Sequence, residues 1–140
     1  MSETLKILQV RDEIKNRLST LENIDVRSGY YAMFTDIKGR LAVIQSDTES
    51  FKTKNQETYK AERTLYIVLS VPMKIGAFDE LEQLLFDARL SLFTERQKNL
   101  NGLVVTFETS GETVFEPAKT GNFITATIPV TVVYIQNLNK

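Results

Sequence analysis

The stretch "ERTLYIVLSVPMKIGAFDELEQLLFDARLSLF", Glu62 to Phe93, changes its period halfway along, and that change decides the fold. From Glu62 to Val71 the chain alternates, with Leu65, Ile67, Leu69 and Val71 pointing one way and Thr64, Tyr66, Val68 and Ser70 the other. Alternation of that kind is the mark of a strand with one buried face. Pro72 cannot donate to a ladder and is expected to close the strand, and Gly76 helps the chain turn. Asp79 is then expected to cap a helix, with Glu80 and Glu82 in its first turn and Arg96 and Lys98 at its far end, as the helix dipole favours. Leu81, Leu84, Leu85, Ala88, Leu92 and Phe93 make an apolar stripe, which Phe86 and Leu90 broaden beyond what one face requires. A helix of about twenty residues would span roughly 30 Å, enough to cover a sheet.

Toward the N-terminus, Leu5, Ile7, Leu8, Val10, Ile14, Leu18 and Leu21 recur at helical spacing, with Arg11, Glu13, Lys15 and Arg17 on the remaining arc. The spacing predicts an amphipathic helix ending before Asn23. "IDVRSGYYAMFTDIKGRLAVIQ" breaks the period, with Ser28-Gly29 and Lys38-Gly39 as turn signals, a strand from Leu41 to Gln45 and a weaker one from Tyr30 to Phe34. Ser46 to Lys60 is polar and carries charges of both signs. A segment unable to bury surface on its own reads as a long mobile hairpin loop, and Phe51 is the aromatic side chain it offers to a partner.

Toward the C-terminus, Leu103, Val105 and Phe107 alternate with Val104, Thr106 and Glu108, predicting a strand after Gly102. A short strand from Thr113 to Phe115 follows between two turns. Ile124, Ala126, Ile128, Val130, Val132 and Tyr134 then form one face of a long last strand, opposite Thr125, Thr127, Thr131 and Val133. Pro129 within it implies an edge position or a bulge. The order helix, strands, helix, strands gives one domain over residues 1–140: an α+β fold with two helices packed on one face of a mostly antiparallel sheet.

Composition limits the chemistry. The 140 residues suffice for one core. Seventeen basic residues against eighteen acidic ones leave no global field to attract a polyanion or an acidic membrane. Without cysteine there are no disulfides, thiolate metal sites or cysteine nucleophiles, and without histidine the usual base near neutral pH is missing. The charged N-terminus has no apolar signal core and no run is long enough to cross a bilayer, so a soluble protein is expected. Asp79, Glu80, Glu82 and Asp87 are the densest carboxylates, and helix capping and solvation account for them. Tyr30, Tyr31, Phe34, Lys38 and Arg40 could interleave stacking and phosphate contacts, but Asp36 lies among them and packing is the better account. No G-x-S-x-G, dinucleotide or phosphate-loop motif occurs. The expectation is a protein that is not an enzyme, with no catalytic residue, cofactor or metal.

What remains is the second face of the two best strands. Tyr66 and Val68 on one strand, and Thr125, Thr127, Thr131 and Val133 on the other, are neither charged nor strongly apolar. A water-facing antiparallel sheet would carry more charge, so a neighbouring subunit is expected to cover this face. Tyr66, Val68, Thr125, Thr127 and Thr131, together with Phe51, are the candidate interface residues.

The arrangement resembles the tail-terminator family of long-tailed bacteriophages, the minor tail protein U-like proteins. The resemblance rests on the charged first helix, on "IDVRSGYYAMFTDIKGRLAVIQ" and the polar segment before "AERTLYIVLSVPM", and on "FDELEQLLFDARLSLF" and "NFITATIPVTVVYIQ" as second helix and closing strand. It implies a structural subunit, assembled in the host cytoplasm into the virion tail as a homo-oligomer, a six-membered ring. That ring would cap the tail tube protein, stop its polymerisation and present the joining surface for a head-completion or neck protein, with DNA only as passing cargo and no membrane partner. The alternatives are a neck or head-completion protein of the same particle, and a dimeric regulatory module that binds a small ligand.

Overall fold

The computed structural model describes residues 5–93, 99–118 and 121–138. The alternating stretch forms β3, Thr58–Pro72, and the helical stretch forms α2, Ala77–Leu92. Before them come α1 (Lys6–Leu18), β1 (Ile24–Ser28), a 3₁₀ turn at Tyr31–Met33, and β2 (Arg40–Lys54). After them come β4 (Thr106–Thr109), β5 (Val114–Pro117) and β6 (Phe123–Asn137). One sheet runs in the order β1-β2-β3-β6-β4, with β5 also beside β6. Only the β1–β2 pair is parallel. The expected α+β architecture is present, two helices against a mostly antiparallel six-stranded sheet.

The helix-facing side of the sheet is the alternation read from the sequence. Leu65, Ile67, Leu69 and Val71 of β3 and Ile124, Ala126, Ile128, Val130, Val132 and Tyr134 of β6 are all buried in one cluster with Leu81, Leu84, Leu85, Ala88 and Leu92 of α2. Two polar contacts seat the helices. Arg17 is buried, and its Nη1 donates to the Leu92 carbonyl at 2.7 Å while Nε pairs with Glu13 at 2.9 Å. The backbone N–H of Lys6, one of the donors that a helix start leaves without an internal partner, donates to Gln136 Oε1 of β6 at 2.6 Å.

Pro129 is neither at an edge nor unsupported. It sits in β6 between β3 and the β4–β5 side, and its carbonyl accepts from the Ser110 N–H at 3.0 Å. In an antiparallel strand a residue's N and O point to the same side, so the missing donor of Pro129 faces the break between β4 and β5. Residues 110–113 bulge out there, and no ladder bond is forfeited.

Several expectations change. Ser46 to Lys60, read as a mobile loop, is mostly strand: β2 continues to Lys54 and β3 begins at Thr58, in register from Leu41↔Ser70 to Lys54↔Tyr59 with two bulges. Its outward residues bury almost nothing, but β3 is held on its other side by β6 as far as Thr58↔Asn137, and that ladder carries β2 with it. The weak strand at Tyr30–Phe34 is the 3₁₀ turn, and the first strand is β1 instead. The predicted strand after Gly102 begins only at Thr106. Asp79 does not cap α2. Gly76 holds the N-cap in a left-handed conformation (φ 84°), and Asp79 and Glu80 lie in the first turn, where their charge still suits the dipole. The helix has 16 residues, Arg89 is the basic residue of its last turn, and Arg96 and Lys98 lie outside the described residues.

Candidate functional site

The second face of the sheet is divided. At one end the chain covers it itself: the β1–β2 connection, residues 29–39, crosses over Leu41, Val43 and Val68 and lays Tyr31, Phe34 and Ile37 against them, beside Tyr66 of β3. Gln45 Oε1 accepts from the Tyr31 N–H at 2.9 Å, and the Tyr31 and Ser70 hydroxyls lie 2.8 Å apart. Arg27 fixes the far side of the crossover. It pairs with Asp36 at 2.7 Å and Asp25 at 2.8 Å, and its guanidinium stands 5.0 Å from the centre of the Phe34 ring. The Arg27 hydrogen bond holds the Asp36 carboxyl below its ordinary range, and the two carboxylates raise Arg27.

Between this crossover and β5 lies a groove of about 930 Å³. Tyr66, Val68, Thr125, Thr127 and Pro129 floor it, Tyr31, Phe34 and Ile37 form one wall, and Val114 and Pro117 the other, with Glu112 and Glu116 on the rim. Among the described residues no lysine or arginine lines it. Thr125 turns its hydroxyl to the Glu116 carbonyl at 3.0 Å, which leaves its methyl to the groove. A bulge between Ser46 and Thr48 sets Asp47 aside, and its charge raises the Tyr66 phenol. A second hollow of about 610 Å³, lined by Asp25, Arg27, Asp36 and Arg40 among others, already has Arg27 paired with both carboxylates.

Four of the six candidate interface residues, Tyr66, Val68, Thr125 and Thr127, therefore meet in one place. Val68 and Thr125 need a correction: they are only 6% and 4% exposed, Val68 because Tyr31, Phe34 and Ile37 of the same chain cover it and Thr125 because it packs beside Glu116 of β5, so no neighbour is required to bury either. Thr131 lies outside the groove, opposite Thr64 and Glu108. Phe51 is distant, on the β2–β3 hairpin, edge-on to Tyr59 with ring centroids 5.2 Å apart. The expectation of packing for Tyr31 and Phe34 holds, while Tyr30 is exposed. Val114 and Glu116 were not foreseen as part of the surface, because nothing local in a four-residue strand marks which face it shows.

The groove can bind by apolar contact and by hydrogen bonds from its hydroxyls and rim carboxylates. Burial pushes the Tyr31 phenol up, away from ionisation, and its partner Ser70 is another hydroxyl rather than a base. Among the described residues no three carboxylates, histidines or cysteines converge to hold a metal ion, and no helix is long and apolar enough to cross a membrane. Fold and groove together define an α+β protein with a largely apolar groove on the second face of its sheet. No protein-family model matches the chain, and no curated protein matches it.

Proposed function

We propose that the chain is the structural subunit of a phage tail that closes into a ring on the end of the tail tube, stops its polymerisation and offers the head-joining surface. One observation carries this reading: the molecule has two unlike apolar surfaces separated by its sheet. The groove lies on one side. On the other, α2 exposes Phe78, Phe86 and Leu90 at 71%, 57% and 58%, outside the stripe it buries. Exposed apolar groups repeated along one helix face indicate a partner surface. The two surfaces differ, so a contact in which one meets a different surface on the next copy is not symmetric. Contacts of that kind are heterologous, and they close into rings when their rotation allows. The resemblance of the sequence pattern to tail terminators supplies the particular ring.

The test is mass in solution with negative-stain imaging, followed by addition to polymerising tail tube protein. Closed rings that arrest tube growth at substoichiometric amounts are expected. A monomer at every concentration, or tubes of unchanged length, would overturn the proposal. A neck or head-completion subunit would form the ring but leave tube length unaltered. The groove's size and apolar lining also suit a small ligand, the second reading, and a compact dimer that retains a small molecule through native mass spectrometry would favour it.

A further inference from the structure

We infer that the groove receives the tip of the β2–β3 hairpin from a second copy of this chain. This rests on the ring-subunit reading and names the contact between its neighbours. The first ground is charge. Among the described residues the groove is lined by Glu112 and Glu116 and by no lysine or arginine, whereas the hairpin from Ser50 to Lys60 carries Lys52, Lys54 and Lys60 against Glu57. Lys52 is engaged within its own chain only by a long contact to Glu62, 3.7 Å, between two exposed side chains. A polyanion or an acidic membrane would meet the rim glutamates unfavourably, whereas a lysine-bearing tip meets them favourably.

The second ground is shape. Phe51 is 67% exposed, yet its ring is held edge-on by Tyr59, so an aromatic anchor is presented in a fixed place. The turn is rigid as well: Asn55 Oδ1 accepts from the backbone N–H groups of Glu57 and Thr58, each at 2.8 Å, and Leu138 N–H donates to the Glu57 carbonyl at 2.6 Å. A tip that is ordered beforehand loses little entropy on docking.

The third ground is distance. The tip and the groove lie toward opposite ends of β3, and ten residues of strand separate Thr58 from Val68, roughly 33 Å. Both strands of the hairpin are paired along that length and β3 is paired on its far side too, so the tip cannot reach its own groove. Each copy therefore offers one tip and one groove to different neighbours. That is a head-to-tail contact, as a ring needs.

The experiment is a charge swap read by sedimentation velocity at low salt, with circular dichroism to confirm folding. The variant K52E/K54E and the variant E112K/E116K should each associate at least about tenfold more weakly than the parent chain, and the chain carrying all four changes should regain association. Two further variants stand free of charge effects. Phe51→Ser should weaken association without lowering Tm. Because the chain has no cysteine, mixing Gln56→Cys with Val114→Cys under oxidation should give a covalent pair that neither variant gives alone. Half-swapped chains that associate like the parent, a full swap that is not rescued, or no covalent pair would each overturn the inference. Rings that persist through the half swaps leave the ring reading standing and remove only this contact. Swap-sensitive association without tube arrest removes the tail reading and keeps the contact.

Discussion

Tyr31 Oη lies 2.8 Å from Ser70 Oγ, and this one contact joins the β1–β2 crossover to the second face of the central strand. Ser70 is fully buried, so its hydroxyl cannot turn to water if its partner is removed. A buried hydroxyl beside the groove thus helps to hold the crossover in place as one of its walls.

Tyr31→Phe keeps the ring and removes the bond. Leaving a buried hydroxyl unpaired costs about 1–2 kcal/mol, and urea unfolding should show that loss with an unchanged m-value. The double variant Tyr31→Phe/Ser70→Ala should regain most of it, since both polar groups are then gone. No loss in the single variant would show that Ser70 finds another partner.

Val68 and Thr127 are cross-strand neighbours, yet they should respond differently to lysine. Val68 is covered by the crossover, so Val68→Lys buries a charge and should lower folding stability by at least about 2 kcal/mol. Thr127 is half-buried and opens to the groove, so Thr127→Lys should leave Tm nearly unchanged while blocking whatever enters. Melting curves and sedimentation of the two variants separate the effects, and equal loss of stability in both would contradict the division of this face.

The sequence made some of these features legible and hid others for identifiable reasons. Leu65, Ile67, Leu69 and Val71 could be read because periodicity and burial coincide in them. The groove's floor, Tyr66, Val68, Thr125 and Thr127, followed from the same alternation. Its cover did not, because Tyr31, Phe34 and Ile37 reach Val68 only through the return path of a parallel connection, which no local pattern encodes. The hairpin was hidden for a related reason. Thr48 to Lys54 bury nothing, and their strand conformation comes from pairing with β3, whose register β6 sets. β1 was missed because only Val26 of its five residues is buried. Gly76 rather than Asp79 begins α2 because a left-handed residue was needed to leave the loop, and a neighbouring carboxylate does not reveal that.

Arg17 ties α1 to α2 through the Leu92 carbonyl and holds Glu13 beside it. Arg17→Ala would take this donor from the Leu92 carbonyl and leave Glu13 with Asn101, at a cost of about 1–3 kcal/mol. Arg17→Met keeps the packing of the stem and should recover part of that, though not the bond to Leu92. Chemical denaturation orders the three chains. An alanine variant as stable as the parent would show that the Arg17 side chain adds nothing to the packing of the two helices.

Glu49, Arg63 and Tyr134 come from three adjacent strands, and both Arg63 and the Tyr134 hydroxyl donate to the same oxygen, Glu49 Oε2. Arg63 holds the Glu49 carboxyl below its ordinary value of 4.5, whereas burial, followed by the bond to Glu49, pushes Tyr134 up to about 12. The two shifts give opposite pH dependences. For Glu49 the folded value is the lower one, so its stabilisation is complete above pH 4.5 and is lost as pH falls through the folded value. For Tyr134 the folded value is the higher one, so its contribution is complete below pH 10 and is lost as pH rises toward about 12. Tm measured from acid to alkali should therefore show the gap between the parent chain and Glu49→Gln closing in acid. The gap to Tyr134→Phe should close above pH 10, where the unfolded parent ionises its tyrosine and the phenylalanine variant has none to ionise. Gaps that stay constant across the whole range would mean that the three side chains do not act on one another in solution.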